Sequence, residues 1–293
     1  MSSDSIIICG QQFSDKVLQQ IQNLINRDDS MTRAALTRQV CDLVGWYRAN
    51  GQRKAMSCRV ALLKLHRKGL LNLPPATKVI TRNKAIDHSI SLPEIAITKS
   101  VEQIDGLSLV LVSNKSGSTL WKVMIQRYHY LGYTPLVGAQ LRYVIGSDAG
   151  YLGAISFSAS AWKVAPRDQF IGWCDNARQA HLPYVICNSR FLILPWVHSK
   201  NLASKILSLS AKRVVADWHQ VYGYRPVLLE TFVEQQRFLG TCYRAANWIN
   251  VGQTQGRGKL DRNHERSVPV KDIYVYPLRP DFRELLCQEG GLS

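Results

Sequence analysis

The stretch "PVLLETFVEQQRFLGTCYRAANWINVGQTQGRGKLDR", residues 226 to 262, decides how this chain is read. Its first residues have the apolar, β-prone character of a buried strand, and its middle reads as a short helix. Polar groups stand where a core should be apolar: Glu230 and Thr231 late in the strand, then Cys242, Tyr243, Arg244 and Asn247 on the helix. A basic tail follows at once, in which glycines separate Arg257, Lys259, Arg262 and Arg266. A loop of that composition can follow a phosphate backbone; the plainer alternative is a solvated charged loop.

Upstream of this stretch, strand and helix patterns succeed one another. "LSLVLVSN" reads as a strand and "SGSTLWKVMIQRYHYLG" as a helix opened by serines. "QLRYVIGS" and "YLGAISFSAS" read as strands paired across "DAG". "ICNSRFLILPWV" is a continuous apolar run, as expected of a central strand. "SKNLASKILSLSAKRVVADWHQVYG" repeats Leu202, Ile206, Leu209 and Val214 on one face, an amphipathic helix ended by Gly223. Antiparallel strands followed by a strand–helix–strand–helix unit predict an α/β (α+β) domain over residues 106–293, a mixed sheet flanked by helices.

The first part of the chain has a different character. "DSMTRAALTRQVCDLVGWYRANGQ" places Leu36, Val40, Leu43, Val44 and Tyr47 at helical spacing, and Asn50-Gly51 ends the helix. In "RKAMSCRVALLKLHRKGLLNLPPA", Met56, Val60 and Leu63 lie along one side of a second helix, which Gly69 closes before a short extended piece. This order predicts a small helical, winged-helix-like module over residues 1–80, then a linker over 81–105. Arg53, Lys54, Arg59, Lys64, Arg67 and Lys68 crowd the second helix and favour DNA contact, against the alternative of a helical hairpin that only caps the next domain.

Composition agrees with an anionic partner. The 293 residues carry 37 Lys and Arg against 21 Asp and Glu, a formal charge of +16, which raises affinity for polyanions. The hydrophobic content of 46% is that of a globular protein with a core. Seven cysteines, with no C-x-x-C pair, argue against a disulfide framework and a structural zinc site. The start "MSSDSIIICGQQFSDK" lacks the pattern of a signal peptide, and no apolar run approaches the ~20 residues of a membrane span. The expectation is a cytoplasmic protein with reduced thiols and no membrane partner.

The polar groups raise specific chemical possibilities. Strand alternation points Glu230 to the face opposite Leu229 and Thr231, and a carboxylate at the C-terminal end of a strand is well placed for a cleft. Its structural alternative is an ion pair with Arg225 or Arg244. Cys242 is a nucleophile if Arg244 favours its thiolate, and otherwise a buried thiol. Asn247 beside Trp248 offers an amide and an aromatic plate suited to a base, while Trp248 is equally a core anchor. Arg167, Asp168, Asp175, Asn188 and Arg190 flank strands in a second cluster. Pairing of the arginines with Asp168 or Asp175 is its structural account. Asp168, Asp175 and Glu230 together are the donor set of a divalent metal site of nuclease type.

The blocks "YHYLGYTPLVGAQLRYVI", "LGAISFSASAWKVAPRDQFIGW", "NSRFLILPWVHSKNLAS", "ADWHQVYGYRPVLLETFV" and "GTCYRAANWINVGQTQGRG" resemble the Druantia anti-phage protein DruA family, over about residues 35 to 285. The order of elements resembles the acetyltransferase-like fold of the GNAT superfamily. The resemblance implies a GNAT-like sheet, a setting in defence against phage, and partners among other defence-system proteins such as a helicase. GNAT sites cradle the pyrophosphate of acetyl-CoA where a glycine-rich turn opens the long helix. Here "LPWVHSKNLASK" has no glycine and carries bulky Trp196 and His198, so acetyl-CoA binding is not expected. These readings converge on an anti-phage DNA-binding protein, with a cleft holding Glu230, Arg244 and Asn247. Its rivals are a metal-dependent nuclease or other nucleic-acid-modifying enzyme, and an acyl or aminoacyl transferase.

Overall fold

In the computed structural model, residues 5–28, 30–48, 51–75, 90–136, 138–256 and 268–288 are described, and the chain divides into units Met1–Lys84 and Ala85–Ser293. In the first unit, strands β1 (Ile6–Ile8) and β2 (Gln11–Phe13) form a hairpin. Cys9 and Gly10 turn it with φ of 55° and 79°, the left-handed pair that a two-residue turn requires. Ser14 caps helix α1 (Asp15–Asn26) and Thr32 caps α2 (Arg33–Leu43), each side chain accepting a backbone N–H of the first turn. An antiparallel bridge between Tyr47 and Arg53 precedes helix α3 (Ala55–Arg67).

Phe13, Ile21, Leu36, Val40, Cys41, Trp46, Cys58, Ala61, Leu62 and Leu65 form the core of this unit. The inward stripe of α3 is therefore Cys58, Ala61, Leu62 and Leu65. This corrects the sequence reading: Met56 and Val60 are 62% and 43% exposed. Two apolar stripes compete on this helix, and the one with smaller side chains fits closely against α2. No wing strand is present among the described residues between Gly69 and Pro75.

The second unit is built on seven strands. In chain order they are β3 (Ser108–Leu111), β4 (Gln140–Ser147), β5 (Gly150–Ala159), β6 (Val185–Ile193), β7 (Leu228–Glu234), β8 (Ile249–Gln253) and β9 (Lys271–Pro277). Their order across the sheet is β3-β4-β5-β6-β7-β9-β8, so the apolar run read as central is the middle strand. Among the described strands of this sheet, the β6–β7 pair alone is parallel. Parallel neighbours need a crossover, here a helix of 21 residues, and the interspersed helices are α4 (Lys115–Tyr128), α5 (Ala165–Ile171), α6 (Asp175–His181), α7 (Leu202–Tyr222), α8 (Thr241–Ala245) and α9 (Phe282–Cys287). The crossover is α7, closed by Gly223 at φ 78°. This is the mixed α/β sheet flanked by helices that the sequence predicts.

Alternation along β7 divides the core in two. Leu229 and Val233 join Trp121, Met124, Ile206, Leu207 and Trp218 of α4 and α7, whereas Leu228 joins Ile171, Ala177, Phe282 and Leu286 of α5, α6 and α9. Each fully buried Leu or Ile contributes about 1.5–3 kcal/mol. Residues 90–105, read as linker, pack within this unit: Leu92 and Ile97 are buried, and Ile97 bridges Val197. Among the described residues, no helix is long and apolar enough to cross a membrane.

Candidate functional site

The parallel pair β6–β7 stays in register only from Val185↔Leu228 to Asn188↔Thr231, after which the two strands part. A bulge in β6 coincides with this split, because Phe157 of β5 pairs with Asn188 while Ser156 pairs with Arg190, leaving Ser189 unopposed. The vertex is closed by protein side chains. The Tyr243 hydroxyl donates to Asn188 Oδ1 at 2.8 Å, and Thr231 Oγ1 donates to the Asn188 carbonyl at 3.1 Å. Asn188 Nδ2 in turn donates to the Ser156 carbonyl at 3.0 Å. The Tyr243 ring stacks on Tyr274 and meets Trp248 edge-on, at centroid distances of 5.7 and 5.2 Å. Gly240, at φ 66° before α8, admits this packing, since a Cβ there would lie 2.4 Å from the Tyr274 hydroxyl.

On the opposite face lies an ion network. Arg167 is fully buried. Its Nη1 donates to Glu230 Oε2 at 2.8 Å and to the Ala161 carbonyl at 3.0 Å. Its Nε and Nη2 both reach Asp168 Oδ1, at 2.9 and 2.7 Å, and its guanidinium lies 5.5 Å from the Trp173 ring centre. Glu230, equally buried, also accepts from the Ala161 N–H at 3.3 Å. Asp168 accepts from Trp173 Nε1 and the Val164 N–H, and Arg178 stands 3.8 Å away. Arg178 then bonds the largely exposed Asp175 at 2.9 Å.

This geometry changes several sequence readings. Glu230 pairs with Arg167 rather than with Arg225 or Arg244. It shares no cleft with Arg244 and Asn247, which are exposed on the side of Thr231. The proposed carboxylate triad is not assembled, because Arg167 intervenes between Glu230 and Asp168 while Asp175 turns outward. Among the described residues, no group of three His, Cys, Asp or Glu side chains is placed to hold a metal ion. Cys242 is half-buried, and burial raises its thiol above the usual range against the opposing pull of backbone N–H groups, the reverse of an activated nucleophile. Trp248 is a core residue packed on Tyr243 and Tyr276. Arg178 escaped the sequence reading, although its i,i+3 spacing from Asp175 was visible. Tyr274, at an alternate position of "DIYVY", escaped likewise.

The Arg190 carbonyl accepts from Asn188 Nδ2 at 3.3 Å, but its side chain stands apart from both networks. It lies just beyond the last paired position, with Nη1 donating to the Ser189 carbonyl at 2.7 Å and Nη2 to Thr134 Oγ1 at 2.8 Å. Both acceptors are neutral.

In the first unit, Arg59, Lys64 and Arg67 share the outward face of α3 with Met56 and Val60, and Lys54 and Lys68 flank it; all are exposed or half-exposed. Arg53 is exposed too but held by Asp42 at 2.6 Å. Between Asp42 and Asp87 the sequence has no Asp or Glu, and among the described residues the other cations of this face form no ion pair. Arg257, Lys259, Arg262 and Arg266 lie outside the described residues.

A family model described as "Druantia protein DruA" matches residues 64–265. No curated protein matches the sequence. Similar solved structures include a probable GNAT-family acetyltransferase from Chromobacterium violaceum, 14% identical, covering 71% of this chain and 96% of its own, with a TM-score of 0.37. An aminoglycoside acetyltransferase in complex with coenzyme A is 11% identical, covering 60% of this chain and 98% of its own, with a TM-score of 0.40. An N-acetyltransferase from Staphylococcus aureus Mu50 is 14% identical, covering 59% and 99%, with a TM-score of 0.35.

Proposed function

The chain belongs to the Druantia protein DruA family, which points to anti-phage defence, and from that premise we propose that it binds DNA through the outward face of α3. The observation that carries this reading is the composition of that face. Arg59, Lys64 and Arg67 recur at three- to five-residue intervals, turned away from the core, beside two apolar side chains that the core does not use. Cations at that spacing meet phosphates along one groove, while Met56 and Val60 offer apolar contact to base edges. The α2–turn–α3 arrangement is compatible with a second helix entering a major groove.

The test is a mobility-shift titration of duplex DNA at several salt concentrations. The parent should bind at about 50 mM salt and weaken steeply by about 200 mM as counterion release is opposed. Lys64→Glu with Arg67→Glu should weaken binding and lower the salt slope by about 1 for each phosphate no longer neutralised. Absence of binding by the parent at low salt, or equal binding by the variant, would remove this reading. Phage protection measured on the same variant connects the helix face to defence.

A further inference from the structure

We propose that the mouth of the β6–β7 split is a nucleotide site, in which Arg190 takes a phosphate and the exposed pair Tyr130–Phe238 takes the base. The inference concerns a different unit from α3 and does not depend on duplex binding there.

Arg190 is the starting point. Its side chain is half-buried; Nε is enclosed by protein and has no hydrogen-bond partner, and the two η nitrogens bond only neutral oxygens. No carboxylate among the described residues lies within ion-pair distance of it. Arg167, by contrast, is internal and satisfied by two carboxylates. A partly desolvated arginine without a carboxylate partner is an incomplete arrangement that an anion completes, and each η nitrogen, bonded once to a neutral oxygen, retains a second N–H for a phosphate oxygen.

The surroundings supply the second half of a ligand. Arg190 holds Thr134 on the loop that leaves α4, and Tyr130 lies on the same loop. Tyr130 stacks on His129 at 4.8 Å and meets Phe238 edge-on at 5.3 Å. Arg237 lies 5.4 Å from the Tyr130 ring centre. Phe238 is 48% exposed, and Leu239 after it and Leu131 after Tyr130 are exposed as well. Large aromatics left in water beside arginines are what stacking on a base requires, with the cations adding attraction to the ring faces. The charge balance favours an anion. Arg190, Arg237 and Lys271 are set against Glu234, which Arg237 already occupies at 2.9 Å. Burial, then the charges of Arg190 and Lys271, push His129 down to about 4. A phosphate joined to a flat ring matches both halves. Within a duplex the base face is covered, so the ligand is either a free nucleotide or a unit of a single strand.

The experiment uses the full chain with three probes: dTMP, a labelled oligothymidylate, and a duplex. Binding of the oligothymidylate should fall about tenfold or more in Arg190→Gln and in Phe238→Ala, with duplex binding unchanged. The α3 double variant should show the opposite pattern, which separates failure of this site from failure of the helix face. Competition by dTMP assigns the site to free nucleotides, and binding by the oligonucleotide alone assigns it to strands; either supports the proposal. Phe238 is at the surface, so Phe238→Ala remains informative even if Arg190→Gln fails to fold. Parental failure to bind both dTMP and oligothymidylate, or undiminished binding by Phe238→Ala, overturns it.

Discussion

The Tyr243 hydroxyl meets the Asn188 side chain at 2.8 Å, at the last position where β6 and β7 are still paired. A residue of α8 thus fixes the point at which the sheet splits. Tyr243→Phe should leave Asn188 Oδ1 buried without its donor and cost about 1–3 kcal/mol, read from urea unfolding. An unchanged midpoint would show that the bond does not hold the vertex.

The same ring closes the vertex, and the turn before α7 has no glycine to bring its backbone near a pyrophosphate. Acetyl-CoA should therefore produce no thermal stabilisation, whereas a ligand bound at 100 times its Kd would add about 2.7 kcal/mol. Micromolar affinity in calorimetry would favour the acyl-transferase alternative.

Glu230→Gln tests the buried pair. An open cleft would make this change nearly neutral, but Glu230 and Arg167 are both fully buried. Removing one charge should cost about 3 kcal/mol, the lower end for a broken buried pair, because Asp168 continues to hold Arg167. Combining it with Arg167→Met should cost less than the sum of the two single changes, as residues in one network couple.

His129 makes stability depend on pH. Its Nδ1 accepts the Leu131 N–H at 3.2 Å, and the folded ring takes up a proton only near pH 4, against 6.5 for the ordinary group. Between those values the unfolded chain binds more protons, so this contribution is full above pH 6.5 and is lost as pH falls toward 4. Melting temperatures of His129→Gln should decline less steeply over this window than those of the parent.

The strands of the second unit were legible because their signals are local. "QLRYVIGS" and "YLGAISFSAS" pair across a turn only a few residues long, and "ICNSRFLILPWV" announces a strand covered on both faces. Helices α5 and α6, of seven residues each, are too short to display a period, and β8 is half-exposed and lacks an apolar run. The α3 reading failed for a different reason: Cys58 and Ala61 are small and do not advertise a buried stripe. Alternation correctly separated Glu230 from Thr231. It did not name Arg167, which is 63 residues distant and reached only through the tertiary fold.

The order β7-β9-β8 has a consequence for synthesis and assembly. Strand β8 emerges before β9 yet, among the described strands, pairs with β9 alone, so β8 has no place in the sheet until residues 271–277 have left the ribosome. The edge of the sheet is therefore completed late, through pairings distant in sequence, and β7 waits with one side open. A nascent chain stopped before Lys271 would forfeit two strands at once, and with them the Tyr274 ring against which Tyr243 stacks.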